Sequence, residues 1–453
     1  MDNNEKVKMR TQDPEVRSHN FEAVELGYSE EEALKEASRC LHCKVPRCVE
    51  GCPVKIQIPE FIAALKENDI ERAYQIISES SSLPAICGRV CPQEKQCEKF
   101  CVRGLKGEAI SIGSLERYVA DEAMKNNLVS KITGQKKNKK VAIVGSGPAG
   151  LTCAGDLAKA GYDVTIYEVL QKAGGVLTYG IPEFRLPKDV VNKQVESLKK
   201  LGVKILVNVP IGNAITIKDL QKEYDAIFIG TGAGLPKFMN IHGEDASGVF
   251  SANEILTRIN LMGAFKEKAK TPIKHANIAY VIGGGNVAMD AVRCLKRLGI
   301  ETHLMYRRGE DELPARKMEV EHAKEEGIIF NLLTNPTEII VDEENNVTGM
   351  KVVDMALTEP GEDGRRGVEP VEGSEHVVKC DMVVMALGTG PNHEALKNSN
   401  IVLTEKGLIE VEGTKTSLKN VYAGGDAVTG AATVILAMEA GKKAASEIME
   451  AIQ

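Results

Sequence analysis

Two kinds of apolar spacing divide the chain. In the first third, apolar residues recur at helical intervals: Ala33, Leu34 and Ala37, then Phe61 and Leu65, then Ala73, Ile76 and Ile77. Ser29-Glu30-Glu31-Glu32 forms a capping box ahead of the first group, so a helix is predicted from Glu30, with others over 59–67 and 70–78. From Val141 onward the pattern changes to short unbroken apolar runs, as in buried parallel strands. Val141-Ala142-Ile143-Val144 leads into a glycine turn, a helix closing near Gly161, and a second strand over 163–167. The same order returns at Ala279-Tyr280-Val281-Ile282, with its second strand over 301–306. Two further runs, 225–232 and 381–390, each end in Gly-Thr-Gly and read as equivalent returning strands. Val421-Tyr422-Ala423 predicts one more strand, followed by a helix from about Thr433 to Ala451.

The glycine turns carry the first chemistry. In Gly145-Ser146-Gly147-Pro148-Ala149-Gly150, Gly145 permits the turn, Gly147 admits a pyrophosphate, and Gly150 lets the helix pack close. Glu168, after the second strand, stands where an acid grips a ribose 2′-hydroxyl. The second turn, Gly283-Gly284-Gly285-Asn286-Val287-Ala288, replaces the third glycine by Ala288, and Arg307-Arg308 occupies the acid's place. An acid would repel a 2′-phosphate, whereas two guanidiniums bind it. The first unit therefore suits FAD and the second NADP(H). Thr231, Gly232, Gly388 and Gly390 are expected to let nucleotide and backbone approach, and the helix after Thr433 to aim its positive end at a flavin.

Eight of the eleven cysteines fall between Cys40 and Cys101, in two groups: Cys40, Cys43, Cys48 and Cys52, then Cys87, Cys91, Cys97 and Cys101. Such crowding points to metal or redox chemistry, and the Cys-Pro pairs at Cys52 and Cys91 favour iron–sulfur clusters over two structural zincs. By the ferredoxin analogy, Cys40, Cys43 and Cys48 hold one cluster while Cys52 crosses to a second. Cys153, Cys294 and Cys380 are isolated, so the reactive pair of a flavoprotein disulfide reductase is missing. A net charge of −7 offers no footprint for nucleic acid. No apolar run reaches the roughly 18 residues of a membrane span, and the polar opening Met1-Asp2-Asn3 is no signal peptide, so a cytoplasmic chain is expected. Residues 124–140 read as a basic, solvated connection.

Taken together, Ser38-Arg39-Cys40-Leu41-His42-Cys43, Cys87-Gly88-Arg89-Val90-Cys91-Pro92-Gln93, Gly180-Ile181-Pro182 and Gly424-Gly425-Asp426 resemble the glutamate synthase small-subunit family over nearly the whole chain. The resemblance implies two [4Fe-4S] clusters: Cys40, Cys43, Cys48 and Cys101 for one, and Cys52, Cys91 and Cys97 with Glu116 for the other. Counting cysteines alone would choose Cys87 in place of Glu116. It also implies that Gly174, Gly175, Ile181 and Pro182 lie along the flavin, with Asp426 at its ribityl–phosphate region and Thr433 near its pyrimidine end. No general acid or base is expected, since the cofactors carry hydride transfer.

The expected architecture is α/β: a helical iron–sulfur domain, then two Rossmann-like domains, the FAD domain discontinuous and the NADP domain inserted. The expected divisions are 1–130, 131–235 (FAD, first part), 236–378 (NADP(H)) and 379–453 (FAD, second part). The expected activity moves electrons between NADP(H), FAD and the clusters to a partner. The opening Met9-Arg10-Thr11-Gln12-Asp13-Pro14 and the stretch Gly180-Ile181-Pro182-Glu183-Phe184-Arg185 look most like the large subunit of electron-bifurcating ferredoxin:NADP oxidoreductase. Its partners would be a small flavin/[2Fe-2S] subunit and ferredoxin. The alternatives are a glutamate synthase small subunit with its large subunit, a stand-alone homologue, a sulfide dehydrogenase subunit, or an electron-transfer adaptor without turnover. Every reading except the stand-alone homologue implies assembly with another protein.

Overall fold

The computed structural model describes residues 4–361 and 366–453; the polar opening at 1–3 lies outside them. Helices Glu30–Ser38, Ile58–Lys66, Ile70–Ser80, Pro84–Val90 and Ile112–Lys125 form the first unit. Their apolar faces close over Phe61, Ile62, Leu65, Ile77, Leu83, Ile86 and Leu115, all fully buried. The capping box forms: the Glu32 amide donates to Ser29 Oγ and the Ser29 amide to Glu32 Oε2, at 3.2 and 2.7 Å. Pro59 sits in the first turn of its helix, where a missing N–H costs nothing.

Two parallel sheets follow. In the first, Val421–Ala423, Ala226–Ile229, Lys140–Val144, Asp163–Tyr167 and Lys204–Leu206 lie side by side in that order. In the second, the order is Val249–Ser251, Met382–Met385, Ile278–Ile282, Glu301–Tyr306 and Ile329–Leu332. The first sheet thus takes its outer strand from near the C-terminus, with the second sheet inserted between its parts. The division expected at 378/379 is corrected by this pairing. Met382–Met385 aligns with Ala279–Ile282 and with Val249–Ser251, so the inserted sheet extends through Met385. The apolar run that leads to Gly388 lies beside the glycine-turn strand of the inserted sheet, as Ala226–Ile229 lies beside that of the first. The chain crosses between the units where Leu235–Pro236 pairs antiparallel with Thr389–Gly390. An antiparallel sheet absent from the sequence reading, Thr334–Val341, Val347–Pro360, Arg366–Pro370 and His376–Lys379, precedes that last inserted strand.

The FAD unit is closed by helix packing and the inserted unit is moored by ion pairs. Helix Val434–Ala451 packs backbone-close on helix Pro148–Lys159: a Cβ on Gly441 would lie 2.2 Å from the Ala149 carbonyl oxygen. The inserted unit is held by buried ion pairs. Arg185 Nη1 donates to both Asp290 oxygens at 2.7 and 2.8 Å, bridging the segment after Gly180 to the second glycine-loop helix. Glu326 accepts from Arg17, Arg293 and Arg297 at 2.7–3.0 Å, and Arg293 also pairs with Glu319. Phe184 lies beneath the guanidiniums of Arg297 and Arg293, 3.9 and 4.7 Å from its ring centroid.

Candidate functional site

The first glycine turn has the geometry expected of its three glycines. Gly145 adopts φ +100°, and a Cβ there would meet the Gly230 carbonyl oxygen at 2.5 Å. A Cβ on Gly150 would lie 2.0 Å from the Gly145 carbonyl oxygen, so only glycine lets the helix close on the strand. Gly147, the N-cap of Pro148–Lys159, faces open space. Open space in front of a helix N-terminus suits a phosphate.

Other predicted residues gather around this turn. A Cβ on Gly175 would lie 2.9 Å from Gly147 Cα, one on Gly425 3.1 Å from Ala149 Cβ, and one on Gly145 3.3 Å from Thr231 Cα. The Gly174 amide donates to Ser146 Oγ at 2.9 Å. Glu168 is buried and knits the turn: it accepts from the Ser146 amide and from the Leu170 amide, both at 2.9 Å, and from Ser146 Oγ. The Tyr179 hydroxyl is pushed up to about 12 by burial and by the charges of Asp426 and Glu168. Asp426 is itself raised by burial and accepts from the Ala432 amide at 3.3 Å. Thr433 caps helix Val434–Ala451. Ile181 and Pro182 are buried in the segment held by Lys188, whose Nζ donates to the Ile181 and Leu186 carbonyls at 2.5 and 2.8 Å. Burial outweighs its acidic neighbours and lowers Lys188 to about 8. From the inserted unit, Asn260 Nδ2 donates to the Tyr179 and Gly180 carbonyls, both at 3.2 Å. Asn260 carries no sequence signal; only the tertiary fold brings it there.

The second turn repeats the design with one change. Gly283 adopts φ +142° against the Ala386 carbonyl oxygen, and Gly285 caps helix Asn286–Arg297 with open space before it. Ala288 is fully buried and its methyl is accommodated, while Val287 is exposed. Asn286 Oδ1 accepts from the Arg316 amide at 3.0 Å. Arg307 is exposed and Arg308 half-buried at the end of strand Glu301–Tyr306. Arg308 Nε is buried without a hydrogen-bond partner among the described residues, the orphaned donor that a phosphate oxygen would satisfy. Gly232, Gly388 and Gly390 face open space.

The cysteines separate into two places. Cys40, Cys43, Cys48 and Cys101 line one solvent-open pocket with Pro46, Ile62 and Phe100. Cys52, Cys87, Cys91 and Cys97 lie in the neighbourhood of Glu116 on helix Ile112–Lys125, close enough for electrostatic influence between it and each of them. Burial raises Cys48 and Cys52 to about 11, so thiolates there need a compensating positive centre. Glu116 is pushed well above the carboxylate range by burial and by Cys87, and its Oε1 has no hydrogen-bond partner among the described residues. A carboxylate buried so is costly unless it ligates something. Cys87 Sγ lies 3.4 Å from Met438 Sδ and 3.8 Å from Ser81 Oγ, which turns it partly toward helix Val434–Ala451. Among the described residues no three His, Cys, Asp or Glu side chains converge as a single metal ion requires. Both donor sets fit iron–sulfur ligation. Cys153, Cys294 and Cys380 are buried.

Fold and sites define an NADP-dependent FAD/iron–sulfur oxidoreductase, and comparison with known proteins gives the same class. Residues 17–128 match the 4Fe-4S cluster domain described as domain II of dihydropyrimidine dehydrogenase, and residues 139–441 match the pyridine nucleotide-disulphide oxidoreductase family. The glutamate synthase [NADPH] small chain of Escherichia coli is 37% identical over 96% of this chain and 94% of its own length. The putative oxidoreductase UacF of the same organism is 38% identical over 96% of this chain and 70% of its own. Mycobacterium tuberculosis FprA in complex with NADPH shares the fold, with a TM-score of 0.58 at 20% identity over 69% of this chain and 84% of its own. The chain belongs to the glutamate synthase small-chain family, and its cofactors are FAD, NADP(H) and [4Fe-4S]. Among the described residues no helix is long and apolar enough to cross a membrane.

Proposed function

We propose that the chain takes electrons from NADPH at the second glycine turn and delivers them through its two cysteine groups to a partner protein. When bound, FAD exchanges hydride with the nicotinamide and single electrons with the clusters. The chain's own residues hold these groups in order. Gly145, Gly147, Gly150, Glu168, Gly174, Gly175, Asp426 and Thr433 cradle FAD, while Gly283, Gly285, Asn286, Arg307 and Arg308 hold NADP(H). Cys52, Cys91, Cys97 and Glu116 form the inner cluster site, supported by the contact of neighbouring Cys87 with the FAD unit's Met438. Cys40, Cys43, Cys48 and Cys101 form the outer one.

One observation carries the direction of exit. The outer cysteines open among exposed apolar residues Leu41, Phe100 and Val102, and exposed Val45 and Leu105 follow close by in the chain. Exposed Lys44, Arg47, Lys99 and Lys106 stand beside them in the chain. An apolar surface with cationic neighbours suits an acidic redox protein. The finer reading is the large subunit of an electron-bifurcating ferredoxin:NADP oxidoreductase, with a small flavin/[2Fe-2S] subunit and ferredoxin as partners. The full-length match to a glutamate synthase small chain favours the second reading, a glutamate synthase subunit. Anaerobic affinity purification from native cells separates them: a small flavin/[2Fe-2S] protein supports the first, and a large glutaminase-containing chain overturns it. Stopped-flow bleaching of the flavin by NADPH tests the shared core, and its absence with FAD bound would leave only an adaptor.

A further inference from the structure

Arg316 lies outside every motif the sequence sets apart, yet it connects the second glycine turn with the surroundings of the inner cysteines. Its amide donates to Asn286 Oδ1 at 3.0 Å, and the preceding Ala315 amide donates to the Gly284 carbonyl at 3.3 Å. The loop before helix Lys317–Glu325 is thereby pinned to the second glycine turn. The Arg316 side chain leaves that unit and enters the iron–sulfur unit. Nη2 donates to Gln93 Oε1 at 3.0 Å, Nε pairs with Glu94 at 3.3 Å, and Nη1 reaches the Arg89 carbonyl at 3.5 Å. Gln93 Nε2 in turn reaches the Cys87 and Gly88 carbonyls at 3.3 and 3.5 Å. Gln93 also lies flat on the helix that carries Glu116, where a Cβ on Gly113 would fall 2.3 Å from its amide nitrogen. Arg316 and Gln93 are both buried.

Three hydrogen bonds thus run from the start of the NADP-site helix to the backbone that carries the inner cysteines. A buried arginine used only to join two units would be replaced at little cost by apolar packing. This one divides its donors among a neutral amide, a carboxylate and a main-chain carbonyl, all within five residues of Cys91. We propose that Arg316 is a positioning residue that couples nucleotide occupancy to the inner cluster site. Phosphates at the Asn286 helix end draw on its amides and side chain. The Asn286–Arg316 bond moves with them, and the guanidinium carries the change to Gln93 and the Cys87–Gly88 carbonyls. Hydrogen bonds and dipoles around a cluster set its potential. By linkage, reduction of the cluster changes nucleotide affinity by the same factor. This rests on the reading that Cys52, Cys91, Cys97 and Glu116 hold a cluster and that the second turn holds NADP(H).

The test uses the full chain with FAD and clusters loaded, and 2′-phospho-ADP-ribose as a nucleotide that cannot accept hydride. In the unsubstituted protein this ligand shifts the electron paramagnetic resonance signal and midpoint potential of the inner cluster. Its dissociation constant differs between oxidised and reduced protein by on the order of fivefold. Arg316→Met and Gln93→Leu, which cut the relay from opposite ends, each abolish the shift and bring the affinity ratio to one, while Arg316→Lys retains part of both. No shift in the unsubstituted protein, or an undiminished shift in Arg316→Met and Gln93→Leu, overturns the proposal. Loss of the inner cluster itself in both variants also overturns it, because the residues would then be merely structural. Failure of NADPH to bleach the flavin sinks the underlying reading instead, and is read separately.

Discussion

The two glycine-turn units are built alike and held differently. The FAD unit is closed chiefly by backbone approach, Gly150 against Gly145 and Gly441 against Ala149, with an ion pair, Lys442 to Asp156 at 3.0 Å, beside the helix contact. The inserted unit is moored by Arg17, Arg185, Arg293, Arg297, Glu319, Glu326 and Asp290, nearly all buried. The difference teaches that one sequence motif can be stabilised by opposite physics. Steric closure tolerates no added methyl and ignores pH; an ion-pair cluster tolerates shape changes and is exposed to titration.

The largest expected effect breaks the mooring. Glu326→Gln leaves three guanidiniums short of charge, at a cost of about 3–5 kcal/mol in denaturant unfolding; a loss under about 1 kcal/mol would refute the contrast. Burial opposes ionisation of Glu319 and Glu326, but Arg185 and Arg293 for the one, and Arg297 and Arg293 for the other, bring each down to about 2. Depressed carboxylates contribute stability in full above their ordinary value of 4.5 and lose it as pH falls toward 2. His322, lowered to about 4 by burial and Arg293, adds a loss between 6.5 and 4. Asp290, raised to about 6 by burial, opposes them in part. Between pH 6.5 and 4.5 the His322 loss and the Asp290 gain largely offset each other, so unfolding free energy should fall mainly below 4.5, and that fall should be shallower in Glu326→Gln.

Next comes the chemical difference between the turns. Arg307→Ala with Arg308→Ala is expected to weaken NADPH roughly a hundredfold while sparing NADH, from two lost charge-assisted bonds; equal loss of both would show the arginines misread. A methyl at the FAD turn follows. Gly441→Ala should cost about 1–3 kcal/mol and lower FAD retention, with no pH dependence between 7 and 4. The smallest effect is Ala288→Gly in the second turn. It should cost only about 0.5–1 kcal/mol, the ordinary price of glycine inside a helix. A collapse of that variant would mean the Ala288 methyl has an unseen structural task.

Whatever depends on neighbours in the chain was legible. Both glycine turns, strands Asp163–Tyr167 and Glu301–Tyr306, the Ser29 capping box and the helix after Thr433 stand where local period and turn chemistry put them. The eight crowded cysteines were visible as a group, but their division between an open and a buried place depends on how five helices pack. Glu116 illustrates the limit. On its helix it follows Leu115 and precedes Arg117 like any surface acid, and only packing removes every partner from its Oε1. The mooring was hidden for the same reason: Arg17 and Glu326 stand 309 positions apart. The antiparallel sheet between residues 334 and 379 escaped because its longest strand, Val347–Pro360, buries residues in a broken alternation that gives no clean period.

The late strand of the first sheet has a consequence for how the protein is made. Translation releases the whole inserted sheet, Val249 to Met385, before Val421–Ala423 and Val434–Ala451 leave the ribosome. The inserted unit is a continuous stretch and can fold while the chain is still growing. The FAD unit must wait, with the edge of strand Ala226–Ile229 unpaired and helix Pro148–Lys159 uncovered. Flavin capture is thus a closing event of biogenesis, and a stalled chain would carry a finished nucleotide unit beside an open flavin cradle.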